Sequence, residues 1–202
     1  MDNYIKINNQ VTYLTDEQVK SIQQSFGINQ KLADVAVGET FKVGVYEFIV
    51  LEHSKETTAV ILKELLFDEK QFGKNNNYNG SFVDGLCNEF ADKLAGIIGN
   101  AAIVEHTVDL TADDGLKDYG KIKRRVSLIT AEQYRRYVEI LDKHKIDAWW
   151  WLATAYSTPT HNTPNWVEGV SPSGCIGDSI YCYDGGGVRP FCILKSNIFV
   201  SK

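Results

Sequence analysis

The residues of this chain that could do chemistry are chiefly its cysteines and histidines. Cys182 and Cys192 lie ten residues apart near the C-terminal end. As a pair of thiolates they could bind copper and support oxidation, but the aromatic and apolar residues around them favour buried, unreactive thiols. The remaining cysteines and the histidines show no CxxC spacing and no i, i+4 histidine pair: Cys87, Cys175, His53, His106, His144 and His161. The sequence therefore predicts no metal site of this kind, no cofactor and no catalytic residue.

An acidic run at Asp109–Gly115 resembles the start of a calcium-binding loop. A calcium loop of this kind needs glycine at its sixth position and glutamate at its twelfth. Asp114 and Gly120 stand at these two positions. The pattern therefore favours an acidic turn, and calcium binding near Asp109 to Asp114 is left open.

The most informative stretch of the chain runs from Ala148 to Lys202. Its segment 152–164 is polar and punctuated by proline, which is typical of a loop that displays binding residues on a rigid scaffold. Large aromatic rings in such a loop either bind sugars and protein partners or hold the loop on the body of the protein. We predict a ligand-binding set within the stretch: Tyr156, His161, Asn162, Trp166, Tyr181 and Tyr183.

Structural roles are predicted on both sides of this binding set. Three adjacent tryptophans, Trp149 to Trp151, cannot all face one way, because neighbours on a strand alternate between faces. We expect Trp150 and Trp151 to be structural, and Arg189 to be a buried guanidinium bonded to carbonyl oxygens. The glycines at 185–187 fit no phosphate-binding template, and we expect them to give the backbone freedom before a terminal strand.

Several elements must position these residues. Capping boxes at Thr15 and Thr130 predict helices over 16–26 and from 130 to about 141, and Ser81 and Gly99 bracket a longer helix between them. Its buried stripe is expected to be Phe82, Leu86, Phe90, Leu94, Ile97 and Ile98, with Asp84, Glu89, Asp92 and Lys93 facing out. Alternating patterns over 41–43, 46–51 and 57–62 predict a three-stranded meander.

The order of these elements predicts an α+β fold in which the last strand pairs with the meander. We further expect the tryptophan triplet and the segment Val188–Leu194 to be partners in one sheet. The predicted division is an N-terminal helical appendage, residues 1–36, and a main domain, residues 37–202. The narrow apolar stripe of the N-terminal helix (Val19, Ile22 and Phe26) could serve a homo-oligomer contact or dock on its own domain.

Composition limits the class of partner. The net charge is -5 and the isoelectric point is about 5.4, which argues against nucleic acid as the main partner. The basic cluster Lys121, Lys123, Arg124 and Arg125 is expected to be a solvated face. No membrane-spanning run or signal-peptide pattern is visible, so a cytoplasmic or virion-associated protein is expected.

Motifs in a fixed order resemble an uncharacterised group of proteins from low-GC Gram-positive bacteria and their phages. The resemblance covers about residues 37 to 200. It rests on Val43–Leu51, Ser81–Asp84 followed by Leu86–Phe90, Ser127–Thr130, Trp150-Trp151-Leu152 and Gly187-Val188-Arg189-Pro190. The chain departs from that pattern at Ala153-Thr154-Ala155, where arginine and then Ser-Pro are expected.

This resemblance implies a C-type-lectin-like fold, as in formylglycine-generating enzyme and phage tropism-determining tip proteins. In that fold the segment between the tryptophan-rich and terminal strands forms the ligand surface, which the resemblance places at Ala153 to Gly187 in this chain. The expected function is a non-enzymatic binding module, phage- or prophage-encoded, for a protein or glycan ligand. Two alternatives remain: an enzyme on a formylglycine-generating-like scaffold, and a phage-encoded inhibitor of a host protein that uses its acidic surface.

Overall fold

The computed structural model describes residues 4–7, 10–25 and 27–202. The fold is α+β, with mostly antiparallel, curled sheets and few helices. Within the described residues, no helix is both long enough and apolar enough to cross a membrane. The strands and helices, in chain order, are β1 (Tyr4–Ile7), β2 (Gln10–Tyr13), α1 (Asp16–Ser25), β3 (Ile28–Lys31), β4 (Thr40–Val43), β5 (Tyr46–His53), β6 (Thr57–Leu62), β7 (Phe67–Lys70), α2 (Phe82–Ile98), β8 (Ile103–Val104), β9 (His106–Asp109), β10 (Lys121–Arg124), β11 (Val126–Ser127), α3 (Ala131–Leu141), β12 (Trp150–Ala155), β13 (Trp166–Val170), β14 (Ile176–Tyr181), β15 (Gly186–Val188), β16 (Phe191–Lys195) and β17 (Phe199–Ser201).

The larger sheet has eight strands in the order β11-β16-β6-β5-β4-β17-β3, with β8 pairing β16. Its centre is the predicted meander of β4, β5 and β6, which is confirmed. The predicted return of a late strand is also confirmed, because β16 pairs β6 from Phe191 opposite Ile61 to Lys195 opposite Thr57. Part of the segment 1–36 belongs to this sheet, since β3 pairs β17 and Leu32 and Val35 are buried in the core.

The smaller sheet has the order β14-β13-β12-β15-β7. Here Trp150 pairs in parallel with Gly187. The prediction that the triplet pairs with the whole of Val188–Leu194 is wrong, because β15 lies in this sheet and β16 lies in the other. The chain changes sheets at Arg189-Pro190, where proline has no N–H for a ladder and the Arg189 side chain bonds to the β6 end at Leu62.

Trp150 and Trp151 face opposite layers, as strand alternation requires. Trp151 is buried in the cluster that contains α2, and its Nε1 donates to the Lys70 carbonyl at 2.7 Å. Trp150 is buried in the cluster that contains α3, with its ring 5.7 Å from that of Tyr134. Trp149 is 40% exposed. The structural roles predicted for Trp150 and Trp151 agree with this packing.

The three predicted helices are present. The capping box of α1 is formed by mutual bonds between Thr15 and Gln18, and that of α3 by Thr130 and Gln133. Ser81 caps α2 and Gly99 follows its last residue. Of the predicted α1 stripe, Val19 is half-buried and Ile22 is exposed, while Phe26 lies outside the described residues.

The predicted buried face of α2 is wrong in its first and last turns. Phe82 and Ile97 are exposed, and the buried face is Val83, Asp84, Cys87, Phe90, Ala91 and Leu94. Asp84 can be buried because its carboxylate accepts bonds from Arg124 Nε at 2.8 Å and from the Gly80 N–H at 2.9 Å. A buried charge is tolerated when it is paired in this way, so an aspartate that looks solvent-facing in sequence anchors the helix instead.

The glycines of the 185–187 run serve close packing, which corrects the predicted role. None of the three has a positive φ. A Cβ on Gly186 would lie 2.5 Å from Trp151 Cε2, and a Cβ on Gly187 would overlap the Leu65 side chain. Only glycine lets β15 approach the tryptophan strand this closely.

His106, on β9, is a buried histidine whose ring nitrogen Nε2 lies 2.9 Å from Ser127 Oγ. Burial lowers the pKa of His106 from its ordinary value of 6.5 to about 4. The folded protein therefore holds this ring neutral under conditions in which the unfolded chain protonates it.

We predict that the free energy of unfolding decreases as the pH is lowered, because of this histidine. The unfolded state binds the proton below pH 6.5 and the folded state only near pH 4, so the contribution is complete above 6.5 and is lost as pH falls to 4. The expected loss in the free energy of unfolding is about 3 kcal/mol. Urea unfolding at several pH values measures it. In His106→Gln the same decrease in pH should cost about 3 kcal/mol less, and equal losses in both proteins would contradict the prediction.

Candidate functional site

Three aromatic side chains form a continuous row at one end of the smaller sheet. Trp166 opens β13 opposite Tyr181, the last residue of β14. The centroids of these two rings are 5.3 Å apart, and those of Tyr181 and Tyr183 are 5.1 Å apart. Trp166 is 41% exposed and Tyr183 45% exposed. We call these three residues the aromatic row.

Tyr156 lies beside the row. It follows β12, its backbone N–H donates to the Trp166 carbonyl at 3.0 Å, and its side chain is 47% exposed. The neighbours Ala155 and Val167 are paired and buried. Alternation along the two strands therefore places Tyr156 and Trp166 on the same outward face.

A groove of about 660 Å³ begins where the aromatic row ends. Tyr183 belongs to both, and its hydroxyl donates to the Lys74 carbonyl at 2.8 Å, which holds the ring in place. The groove, called the asparagine groove below, is lined by Glu69, Lys70, Gln71, Gly73, Lys74, Asn75, Asn77, Asn79, Gly80, Ser81, Phe82 and Tyr183. Its mixture of two exposed rings and several amides is typical of a site for a small polar ligand with apolar faces.

A buried asparagine joins the row to the groove. Asn76 Nδ2 lies 2.8 Å from the Ser157 carbonyl, 3.1 Å from that of Thr163 and 2.9 Å from that of Trp166. Its Oδ1 accepts from the Tyr119 hydroxyl at 2.6 Å. Asn76 is fully buried, so these bonds hold the loop at 157–165 in position from within.

His161 and Asn162 occupy a different part of that loop. His161 Nδ1 lies 2.9 Å from Asp114 Oδ2, and Thr158 and Thr160 both donate to Asp118 at 2.6 Å. Asn162 has a φ of 56° at the end of a short turn, a conformation that asparagine tolerates. Both residues are exposed, but neither lines the asparagine groove.

The hydrogen bonds of this loop do not form a catalytic triad. Asp114 accepts from both Ser157 and His161. In a serine triad the histidine stands between the serine and the carboxylate and takes the serine proton. Here the pKa of Asp114 is lowered instead, by hydrogen bonds from Ser157, the Leu116 N–H and His161. The ionised carboxylate therefore accepts bonds from two residues of the loop, Ser157 and His161.

The acidic run has a structural arrangement as well. Lys121 and Thr111 both bond to Asp109 and lower its pKa to about 2. Among the residues described here, no group of three or more histidine, cysteine, aspartate or glutamate side chains is arranged to hold a metal ion. Both outer carboxylates of the acidic run, those of Asp109 and Asp114, therefore accept hydrogen bonds from other groups of the protein.

The cysteines are free thiols. Cys182 and Cys192 are buried, as predicted. Burial raises the pKa of Cys182 and raises that of Cys192 further. Because copper binds the thiolate form, this environment opposes the copper chemistry considered above.

Arg189 has the predicted role. It is 1% exposed, and its guanidinium donates to the carbonyls of Leu62 at 2.8 Å and Lys63 at 3.0 Å. Burial lowers the pKa of Arg189 to about 10, which still leaves it protonated at neutral pH. In the basic cluster at 121–125, Lys121 and Lys123 are exposed, as predicted, and Arg124 and Arg125 are half-buried. Three members are paired with acids: Lys121 with Asp109, Arg124 with Asp84 and Arg125 with Asp92.

A second groove, of about 800 Å³, also has residues of β7 in its lining. Its lining includes the exposed Trp149, whose ring packs against Gly177, and the carboxylates Glu64, Asp68, Glu69 and Asp147. Glu69 also lines the asparagine groove. The two grooves therefore differ in chemistry, one rich in amides and the other in acids.

Comparison of the chain with protein-family models, curated proteins and solved structures gives no match.

Proposed function

We propose that this protein is a non-enzymatic binding module that recognises a glycan through the aromatic row and the asparagine groove. The observation that carries the proposal is their continuity: Tyr183 is the last ring of the row and a wall of the groove. An extended ligand could therefore contact both at once.

The chemistry of a sugar suits this surface. A sugar ring has apolar C–H faces and polar edges, so it packs on aromatic rings while its oxygens bond to neighbouring polar groups. Tyrosine and tryptophan provide such apolar surface with a polar tip, and the asparagine groove adds amides. Asn76 and the Tyr183–Lys74 bond fix the site before ligand arrives, which reduces the entropy lost on binding.

We extend the proposal to the fold and the biological setting suggested by the sequence motifs. The proposed fold is C-type-lectin-like, supported by the two larger curled sheets, two main helices and the loop at 156–165 that follows the tryptophan strand. A phage or prophage origin, a cytoplasmic or virion-associated location and a homo-oligomer contact through α1 complete the proposal. Resemblance at this level supports a scaffold more than an activity, so the ligand is argued from the site.

Retention on immobilised glycans tests the proposed function. A panel of chitin, cellulose, xylan and Gram-positive cell-wall preparations would be compared for the wild type, Trp166→Ala and Tyr183→Ala. We expect retention by at least one glycan and a loss of affinity of about tenfold or more in each variant, because aromatic contacts often dominate an interface. Phe199→Ala removes an exposed aromatic from the larger sheet and should bind normally. Equal retention of all four proteins would contradict the proposal.

A second candidate function is favoured by the second groove. Its carboxylates and exposed tryptophan would suit a basic segment of a host protein, as the inhibitor alternative requires. In that case no glycan would retain the protein, and a stoichiometric host complex would weaken with added salt and in Asp147→Asn.

A further inference from the structure

We infer that the asparagine groove selects glycans that carry N-acetyl groups. The inference rests on the proposed function and adds the substrate class to it. The observation behind it is the orientation of three side-chain amides along one wall: Asn75, Asn77 and Asn79.

The orientation of each amide is determined by a donor that needs an oxygen. Asn75 Oδ1 accepts from the Asn77 N–H at 3.0 Å, and Asn77 Oδ1 accepts from the Asn79 N–H at 3.0 Å. Asn79 Oδ1 accepts from Arg124 Nη2 at 2.9 Å. Because N–H groups cannot donate to an NH2 group, a flipped amide would lose its bond in all three cases.

The wall therefore offers donors to a ligand. Each of the three amides has its oxygen occupied and its NH2 group available. Asn75 and Asn79 are exposed and Asn77 is half-buried. Lys70 and Lys74 add further donors to the lining. A ligand that fits must present hydrogen-bond acceptors.

The N-terminus of α2 does not make the groove an anion site. The Asp84 N–H donates to Ser81 Oγ and the Val83 N–H to the Phe72 carbonyl, while the Gly80 N–H donates to the Asp84 carboxylate. These N–H groups are already satisfied, and the nearby carboxylate opposes an incoming anion. The chemistry favours a neutral acceptor.

An acetamido group matches this lining. Its carbonyl oxygen accepts two hydrogen bonds, and its methyl group can pack on an apolar neighbour such as Phe82, which is 55% exposed. A hydroxyl in the same place would bring a donor as well as an acceptor. A free amine would bring only donors and a positive charge, which leaves the wall's NH2 groups unpaired.

Three oligosaccharides with the same linkage isolate this difference. Isothermal titration would compare pentamers of N-acetylglucosamine, glucosamine and glucose, all β-1,4-linked. We expect the N-acetylated pentamer to bind about tenfold or more tightly than the other two. A tenfold difference in Kd is about the cost of leaving one hydrogen bond unmade in the weaker complexes.

A matched variant tests the role of the amides. The double substitution Asn75→Asp with Asn77→Asp keeps the oxygens that accept the backbone N–H groups but replaces the NH2 donors with acceptors. Its preference for the N-acetylated pentamer should disappear while its unfolding midpoint stays near that of the wild type. Asn197→Asp, an exposed asparagine at a turn of the larger sheet, should keep the preference.

The outcomes separate the inference from the proposed function. Equal binding of the N-acetylated and glucose pentamers, with loss of both in Trp166→Ala, would overturn the inference and leave the glycan-binding function standing. Tighter binding of a carboxylated glycan such as polygalacturonate would also overturn it. Failure of every glycan to bind would remove both.

Discussion

Replacing Asn76 with aspartate is expected to destabilise the protein by about 3 to 5 kcal/mol. The wild-type NH2 group has two hydrogens to donate and lies within hydrogen-bond distance of three carbonyl oxygens inside a fully buried site. Aspartate has nearly the same shape but would direct an oxygen at those carbonyls and lose its bonds to them, keeping only the bond from the Tyr119 hydroxyl. A buried acceptor without a partner costs about 1 to 3 kcal/mol, and the effects within one network combine. Urea unfolding measures the loss.

The same change should release the 157–165 loop, which Asn76 holds from within. Limited proteolysis at neutral pH would therefore cleave the variant in this loop before the rest of the domain. Asn75→Asp is the control, since its remaining oxygen can still accept from the Asn77 N–H, and its stability should change by less than about 1 kcal/mol. Comparable losses in the two variants would contradict the role assigned to Asn76.

Arg189→Met is expected to cost about 3 to 5 kcal/mol. The arginine lies where the chain passes from the smaller to the larger sheet, and its guanidinium donates to the Leu62 and Lys63 carbonyls. The guanidinium carbon, Cζ, lies 5.2 Å from the centre of the Trp150 ring. Methionine retains much of the volume but leaves the carbonyls buried and unpaired. Denaturant unfolding measures the difference.

A surface arginine provides the comparison. Arg136 pairs with Glu52 at 2.6 Å but its side chain is 62% exposed, so Arg136→Ala should cost less than about 1 kcal/mol. Arg189→Lys should fall between the two, because an ammonium group can keep a bond to one carbonyl but not the planar fork. An Arg189→Met protein as stable as the wild type would show that this contact does not hold the two sheets together.

Local signals in the sequence were sufficient for much of the fold. Thr15, Ser81 and Thr130 each begin a helix because their hydroxyls bond to N–H groups three residues later. The meander follows from alternation along β4, β5 and β6, which is also a local property. The burial of Arg189 was expected from its position between Val188 and Pro190.

Features that depend on distant residues were not predictable in this way. Nothing around Asn76 distinguishes it from Asn75 and Asn77, because its side-chain partners lie 43 to 90 residues away along the chain. Asp84 is buried through Arg124, forty residues later. The glycine run is explained only by Trp151 and Leu65, which lie across the sheet.

The candidate site divides in the same way. Aromatic residues in the 153–187 stretch were expected at a surface, and Trp166, Tyr181 and Tyr183 do come together there. The asparagine groove was not anticipated, because Asn75 to Asn79 indicated only turns. The signal available in the sequence was the alternation of asparagines at 75, 77 and 79, which share one wall through two successive side-chain turns.

The most direct measurement of the central claim uses the four indole N–H signals of the ¹⁵N-labelled protein. Titration with the N-acetylglucosamine pentamer should shift the signal of Trp166, which belongs to the aromatic row. The signals of Trp150 and Trp151, which are buried, should stay in place, as should that of Trp149 in the second groove. A shift confined to Trp149, or no shift of any indole at saturating pentamer, would contradict glycan recognition by the row and the asparagine groove.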